Sequence, residues 1–198
     1  MYDKLNITEN HLKILSLFTK GFDREYYIRE VQKLCGISPR TSQIILEDLE
    51  KKLVLESSVK GKIKNYKIKK TVISKEYLSL VEQYKKILFL QNHPLILEIV
   101  EKISPLIDGI GIIFGSYAKG LEKPDSDLDI FIIGDCKGAE IEKVGDLYGI
   151  KLSVKKYPLD SFGKNIRKDI LIKEVLRDHI VFLGVEKFIW EVMGNKQV

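Results

Sequence analysis

Long apolar runs are missing from this chain of 198 residues. Nothing in it approaches the roughly 18–20 apolar residues of a helical membrane span, so no membrane partner is expected. The opening MYDKLNITEN lacks the charged-then-apolar order of a secretion signal, which makes a cytoplasmic location the expectation. Cysteine is scarce. Cys35 and Cys136 stand far apart, neither with a Cys or His at metal-ligand spacing, which excludes a disulfide framework or a zinc knuckle and suggests buried free thiols. The three histidines, His11, His93 and His179, are scattered and read neither as ligands nor as bases. The single tryptophan, Trp190, follows Phe188 and Ile189 and reads as a core or oligomer contact. Repeats, low-complexity tracts and Gly/Ser-rich linkers are also absent.

What the chain does carry is charge, unevenly spread. The net charge is +5, and residues 1–74 hold 15 Lys and Arg against 9 Asp and Glu. The remaining residues hold 18 against 19. A basic first third beside a near-neutral remainder points to one part that meets a polyanion.

Hydrophobic periodicity organises that first third. Leu12, Leu15, Leu17 and Phe18 mark an amphipathic helix over Glu9–Thr19, stopped by Gly21. A second helix is expected from about Arg24 to Leu34, burying Tyr27, Ile28, Val31 and Leu34 and ending at Gly36. A third opens with Ser38 as N-cap and Pro39 at its first position, where the missing N–H costs nothing, and buries Ile44, Ile45, Leu49 and Leu53. Val54–Lys69 reads as a hairpin turning at Lys60-Gly61. Residues 75–104 are helical, with a break near His93 imposed by Pro94. After Asp108-Gly109, short strands (Ile110–Phe114, Leu128–Ile133, Lys151–Lys156, Val181–Leu183) alternate with helices, among them Ala139–Tyr148, one capped by Asp160, and Asp169–Asp178. The expected fold class is α+β: residues 1–74, a helical connector over 75–94, and a small mixed-sheet α/β domain over 95–198.

The order helix, helix, short turn, helix, hairpin over residues 5–70 resembles winged helix-turn-helix transcriptional regulators. The resemblance implies that Arg40, Thr41, Ser42 and Gln43 face a DNA major groove. Lys60, Lys62, Lys64 and Lys67, with Lys69 and Lys70, would lie along the sugar–phosphate backbone. Protein–protein docking is the other use of such a module. Paired half-sites make a homodimer a fair expectation.

The most informative stretch is Gly115–Ile133, GSYAKGLEKPDSDLDIFII. Gly115-Ser116 leaves one apolar strand and opens a turn or short helix. Glycine admits a phosphate close to the backbone, Ser116 adds a hydroxyl, and Gly120 lets the chain leave the turn. Asp127 and Asp129, one residue apart at the mouth of the next strand, place both carboxylates on one face, roughly 6–7 Å apart. Two like charges so close call for a cation or hydrogen bonds, and an oxygen-only donor pair suits Mg²⁺.

The pattern GSxAxGxxxxxSDxD resembles the signature of the DNA polymerase β-type nucleotidyltransferase superfamily, in particular its minimal members, across residues 95–190. Gly115, Ser116, Ala118, Gly120, Ser126, Asp127 and Asp129 match, and Lys119 keeps the charge of a frequent arginine. The resemblance implies that Gly115, Ser116, Lys119, Gly120 and Ser126 hold ATP or another NTP, and that the catalytic Asp127 and Asp129 bind up to two Mg²⁺ ions. It implies transfer of an NMP to a hydroxyl with release of pyrophosphate. A separate helical partner protein accompanies many small relatives.

One member of the pattern is missing. The family supplies a third carboxylate from a later strand, but Lys151–Lys156 (KLSVKK) has none, and Ser153 stands at the matching position. Asp160 and Asp146 are poorer substitutes. Lys155, Lys156, Lys164, Arg167 and Lys168 read mainly as a solvated face. Two functions follow from these features. One is an Mg²⁺-dependent nucleotidyltransferase guided by a DNA-binding module. The other is a DNA-binding regulator whose transferase domain senses a nucleotide without turning it over.

Overall fold

Thr8 stands extended before α1 (Glu9–Phe18), its hydroxyl 2.7 Å from the His11 ring, which fixes where the helix starts. That helix opens the computed structural model of the chain, which describes residues 5–194. The chain divides into two units, Met1–Val81 and Glu82–Val198.

In the first unit, β1 (Tyr26–Tyr27), α2 (Ile28–Cys35), α3 (Pro39–Lys51), β2 (Leu55–Lys60) and β3 (Ile63–Ile68) follow α1. The strands form an antiparallel sheet in the order β1-β3-β2. The second helix was expected from Arg24 but begins at Ile28, because Tyr26 and Tyr27 pair as a strand with Tyr66 and Asn65. Gly36 ends it in the left-handed conformation. Ser38 and Pro39 start α3 as expected, the serine hydroxyl accepting from the Thr41 N–H at 3.0 Å.

The buried face of α3 is Ser42, Ile45, Leu46 and Leu49, spaced at three and four residues. Ile44 and Leu53, expected inside, are 51% and 50% exposed, and Leu34 on α2 is 58% exposed. An isolated apolar residue on a short helix does not reveal which face it joins.

In the second unit, α4 (Val72–Asn92), within which the division falls, leads to α5 (Pro94–Ile103). Pro94 separates the two helices. Then come β4 (Ile107–Phe114), α6 (Gly115–Lys119), β5 (Leu128–Cys136), α7 (Gly138–Tyr148) and β6 (Leu152–Tyr157). The rest is α8 (Leu159–Asn165), α9 (Ile170–Arg177), β7 (Ile180–Leu183) and α10 (Val185–Met193). Asp169 caps α9 by accepting from Ile172 N–H, but Asp160 is no cap. It lies inside the first turn of α8, behind Pro158.

The sheet order is β6-β5-β4-β7, with β5 and β6 parallel and the other pairs antiparallel, so the sheet is mixed and β7 is an edge strand. One face packs Leu128, Ile130 and Ile132 against Ile96, Ile99 and Ile103 of α5 and Ile141 of α7. The other brings Phe131 against Phe114, Tyr157 and Phe162. Burial on both faces explains why Ile130–Ile133 is a continuous apolar run without alternation.

A buried charged group braces this unit. Glu82 and His179, 0% and 1% exposed at their side chains, meet at 3.2 Å, and Lys85 lies 2.8 Å from Glu82. Burial pushes the Glu82 carboxyl up, but Lys85 and His179 outweigh it and hold the group down at about 2. No described helix is long and apolar enough to cross a membrane. Cys35 and Cys136 are free, and both are partly exposed rather than buried as expected.

Candidate active site

Every strand-borne part of the site lies at one end of the sheet. β4 ends at Phe114 directly opposite Asp129 of β5, and Asp129 is level with Ser153 of β6. Because successive residues point to opposite faces, Phe114, Asp129 and Ser153 share one face, while Leu128 and Leu152 enter the core on the other.

The chain leaves β4 through Gly115, whose φ of 72° is left-handed. A Cβ there would come within 2.1 Å of Asp129 Oδ2. Glycine is therefore required twice, for the backbone turn and for the close approach of α6 to the carboxylate. Gly120, with φ of 64°, ends α6 after five residues. The glycine-serine turn and the aspartate pair, separate in sequence, are thereby brought against each other.

Asp129 is partly buried. Its carboxyl is held above the ordinary range, first by burial and then by the negative charges of Asp127 and Glu174, against a hydrogen bond from Ser153 and the charge of Lys155. Asp127 is more open, with Oδ2 2.7 Å from Lys151 Nζ. Two neighbouring carboxylates make an oxygen donor set that fits a hard divalent cation, with water and substrate oxygens completing its shell. Among the described residues no group of three His, Cys, Asp or Glu gathers to hold a metal unaided. On the β6 side Ser153 is level with Asp129, and its hydrogen bond works against the rise of the Asp129 carboxyl.

The other expected residues divide by role. Ser116 is partly exposed at the start of α6. Lys119 reaches Glu174 Oε1 at 3.7 Å. Ser126 shapes the loop, its hydroxyl accepting from Lys123 N–H at 2.8 Å.

Three participants escaped the sequence reading. His93 stacks on Phe89 at 4.3 Å between ring centres and reaches Glu122 Oε1 at 3.0 Å, tying the loop between α6 and β5 to the start of α5. That contact is the first cause holding the Glu122 carboxyl low. Glu174 lies 45 residues beyond Asp129, and no local pattern marks it.

In the first unit the expected DNA-facing residues are not equivalent. Arg40 is exposed and Thr41 partly so, with the Thr41 hydroxyl 2.8 Å from that of Ser38. Gln43 donates to Glu47. Ser42 is wholly buried, its hydroxyl donating to the Ser38 carbonyl, so its side chain is not available to a groove. Nor do the lysines form one row. Lys64 shares the face of Tyr66 and Ile68 and pairs with Glu50 at 2.6 Å, while Lys60 pairs with Glu25 at 2.6 Å and Lys67 with Glu56 at 3.3 Å. Lys62 stands exposed at the turn, outside these pairs.

A family model described as a nucleotidyltransferase domain matches residues 93–182, the stretch from the His93 anchor to β7. This span is thus similar to nucleotidyltransferase domains, and the match supports nucleotidyl transfer as the general function. No curated protein and no solved structure matches the chain.

Proposed function

We propose that this protein binds a nucleoside triphosphate with Mg²⁺ and transfers its nucleotidyl group to a hydroxyl acceptor. The first unit carries that activity to DNA as a winged helix-turn-helix. The observation that supports this best is the approach of Gly115 to Asp129, which leaves no room for even a methyl group and joins the two halves of the motif in one site.

Each residue has a task that follows from its chemistry. The Ser116 hydroxyl and the Gly115 backbone meet the phosphates, and the Lys119 ammonium exchanges Glu174 for a phosphate oxygen. Asp127 and Asp129 are the residues that would hold Mg²⁺, with Lys151 giving up Asp127. An ion held there would supply positive charge against the phosphate oxygens. The acceptor oxygen bonds to the α-phosphorus, the bond to the bridging oxygen breaks, and the hydroxyl proton must be taken up.

A second reading, nucleotide sensing without turnover, is favoured by Ser153 alone, since it removes the carboxylate that β6 would contribute. Both readings are tested by incubating the protein with α-labelled NTPs, Mg²⁺ and nucleic acid or protein acceptors, beside an equilibrium measurement of nucleotide binding. Binding with label transfer supports the enzyme, and binding without transfer supports the sensor. No binding overturns both. A gel shift over a salt series tests the DNA module, which fails if no affinity appears even at low salt.

A further inference from the structure

Positive charge gathers a second time in the chain, over residues 151–168, which hold six Lys and Arg against one Asp. Residues 75–198 hold 18 against 19 in all, so the rest of that span is acidic and the excess is local. On the β2–β3 hairpin, Lys60, Lys64 and Lys67 are each answered by a carboxylate. Lys155, Lys164, Arg167 and Lys168 are exposed, and among the described residues none of them has an ion-pair partner. Asp160, the one acid of the segment, is exposed and makes no ion pair with them.

These cations form a continuous row. Ser153, Lys155 and Tyr157 alternate along β6 and so share the face that carries Asp129. Lys151, just before the strand, meets Asp127 at 2.7 Å and marks the end of the row at the aspartates. Lys155 is level with Phe131 and Tyr157 with Ile133, so the row leads away from that end. The Tyr157 hydroxyl accepts from the Asn165 amide at 3.0 Å and donates to the Asp169 carboxylate at 3.4 Å. Arg167 and Lys168 lie in the turn between those two anchors, and Lys164 comes just before it in α8. Tyr157 thus pins the turn to the strand, two residues from Lys155. Phe162 of α8 is fully buried, so no apolar helical face accompanies the cations as it would at a membrane surface. A narrow row of unanswered cations suits a single phosphodiester backbone, which a positively charged track follows without reading sequence.

We propose that this row is a docking surface for a single nucleic-acid strand, whose phosphates run from the Arg167-Lys168 turn past Lys155 toward Asp127 and Asp129. Binding on the row stands without the nucleotidyl-transfer reading. Use of the strand's terminal hydroxyl as the acceptor rests on it.

The test uses the full chain without nucleotide or Mg²⁺. Fluorescence anisotropy of a short labelled DNA strand, and of an RNA strand of the same sequence, is followed over a salt series. Three proteins are compared: wild type, Lys62→Ala, and the fourfold variant Lys155→Gln, Lys164→Gln, Arg167→Gln, Lys168→Gln. The fourfold variant should bind at least about tenfold more weakly at low salt, and its salt slope should fall by about three, since each phosphate contact on a single strand contributes roughly 0.7. Its melting temperature should be unchanged. Acetylation of wild-type lysines, read by mass spectrometry, gives a measurement that needs no variant. The strand should protect Lys155, Lys164 and Lys168, and leave open Lys143 of α7, which packs on the other face of the sheet.

Loss of affinity with either strand supports the proposal, and the ratio of the DNA and RNA affinities says which strand is the ligand. Unchanged affinity and slope in the fourfold variant overturn it. So does a wild type that binds no strand at low salt, an absence of protection at the three lysines, or a loss seen only in Lys62→Ala. Tighter binding to phosphatidylserine vesicles than to either strand also overturns it. A wild type that binds a strand through the row and transfers no nucleotidyl group upholds the surface and defeats only the reaction assigned to its end.

Discussion

Opposite charges are matched in the first unit of this chain and like charges are crowded in the second. On the β2–β3 hairpin, Lys60, Lys64 and Lys67 each meet a carboxylate of their own unit. At the mouth of β5, burial and then the neighbouring charge of Asp127 raise the proton affinity of Asp129, while Asp127 itself pairs with Lys151. Matched exposed pairs contribute little to folding and reduce the field offered to a polyanion. A crowded pair destabilises the fold unless a ligand relieves it, and such tension is common where a protein binds a cation. The excess of positive charge thus marks a surface only weakly, whereas a partly buried carboxylate of raised proton affinity marks a site.

The comparison breaks first where a buried charge group is matched in the second unit. Replacing Glu82 by Gln removes the buried carboxylate that Lys85 and His179 both meet and should cost about 3–5 kcal/mol in denaturant unfolding. The pH dependence has a definite sign. Glu82 is held at about 2 against an ordinary 4.5, so its contribution is complete above pH 4.5 and is lost as pH falls toward 2. Burial lowers the His179 imidazole too, so its contribution is likewise lost on acidification, starting below its ordinary 6.5. Acid unfolding should therefore be shallow in Glu82→Gln and steep in the wild type.

The crowded pair responds in the opposite sense. Asp129→Asn should lower nucleotidyl transfer at least about a hundredfold in a labelled-NTP assay, yet raise the melting temperature at neutral pH. The sign follows from the raised folded-state value: the cost of the charged form is absent below the ordinary 3.8 and grows as pH rises past it. A variant that loses both activity and stability would mean that Asp129 is matched after all.

Gly115→Ala tests the closeness of the two halves. The left-handed backbone alone should cost about 1–2 kcal/mol, and the methyl group displaces Asp129, so melting temperature and transfer should fall together.

The smallest effects belong to the hairpin. Lys62→Ala should weaken DNA binding and reduce its salt slope by about one, with melting unchanged. Lys64→Ala should lower stability by about 1 kcal/mol or less and leave the slope nearly as it was, since this lysine is engaged with Glu50. Equal effects on the slope would dissolve the distinction between matched and open lysines.

Much of this was readable from local sequence. Ser38-Pro39 starts a helix because cap and proline act within one turn, and Pro94 breaks one for the same reason. The glycine-serine turn and aspartate pair are readable as a motif because their residues lie close together in sequence. What resisted was relational. Tyr26-Tyr27 becomes a strand only because β3 is there to pair with it, and Ser42 disappears inward because α3 turns the face of Ile45 and Leu46 to the core. His93 with Glu122, and Lys119 with Glu174, join residues 29 and 55 positions apart, a distance over which no periodicity carries information.

The sequence by itself determined most of the elements, the charge asymmetry and the motif, since these rest on interactions or residues close together along the chain. The tertiary structure alone decided which lysines are answered and which serine stands level with Asp129. Those outcomes depend on strand register and helix packing, which bring together side chains the chain keeps far apart.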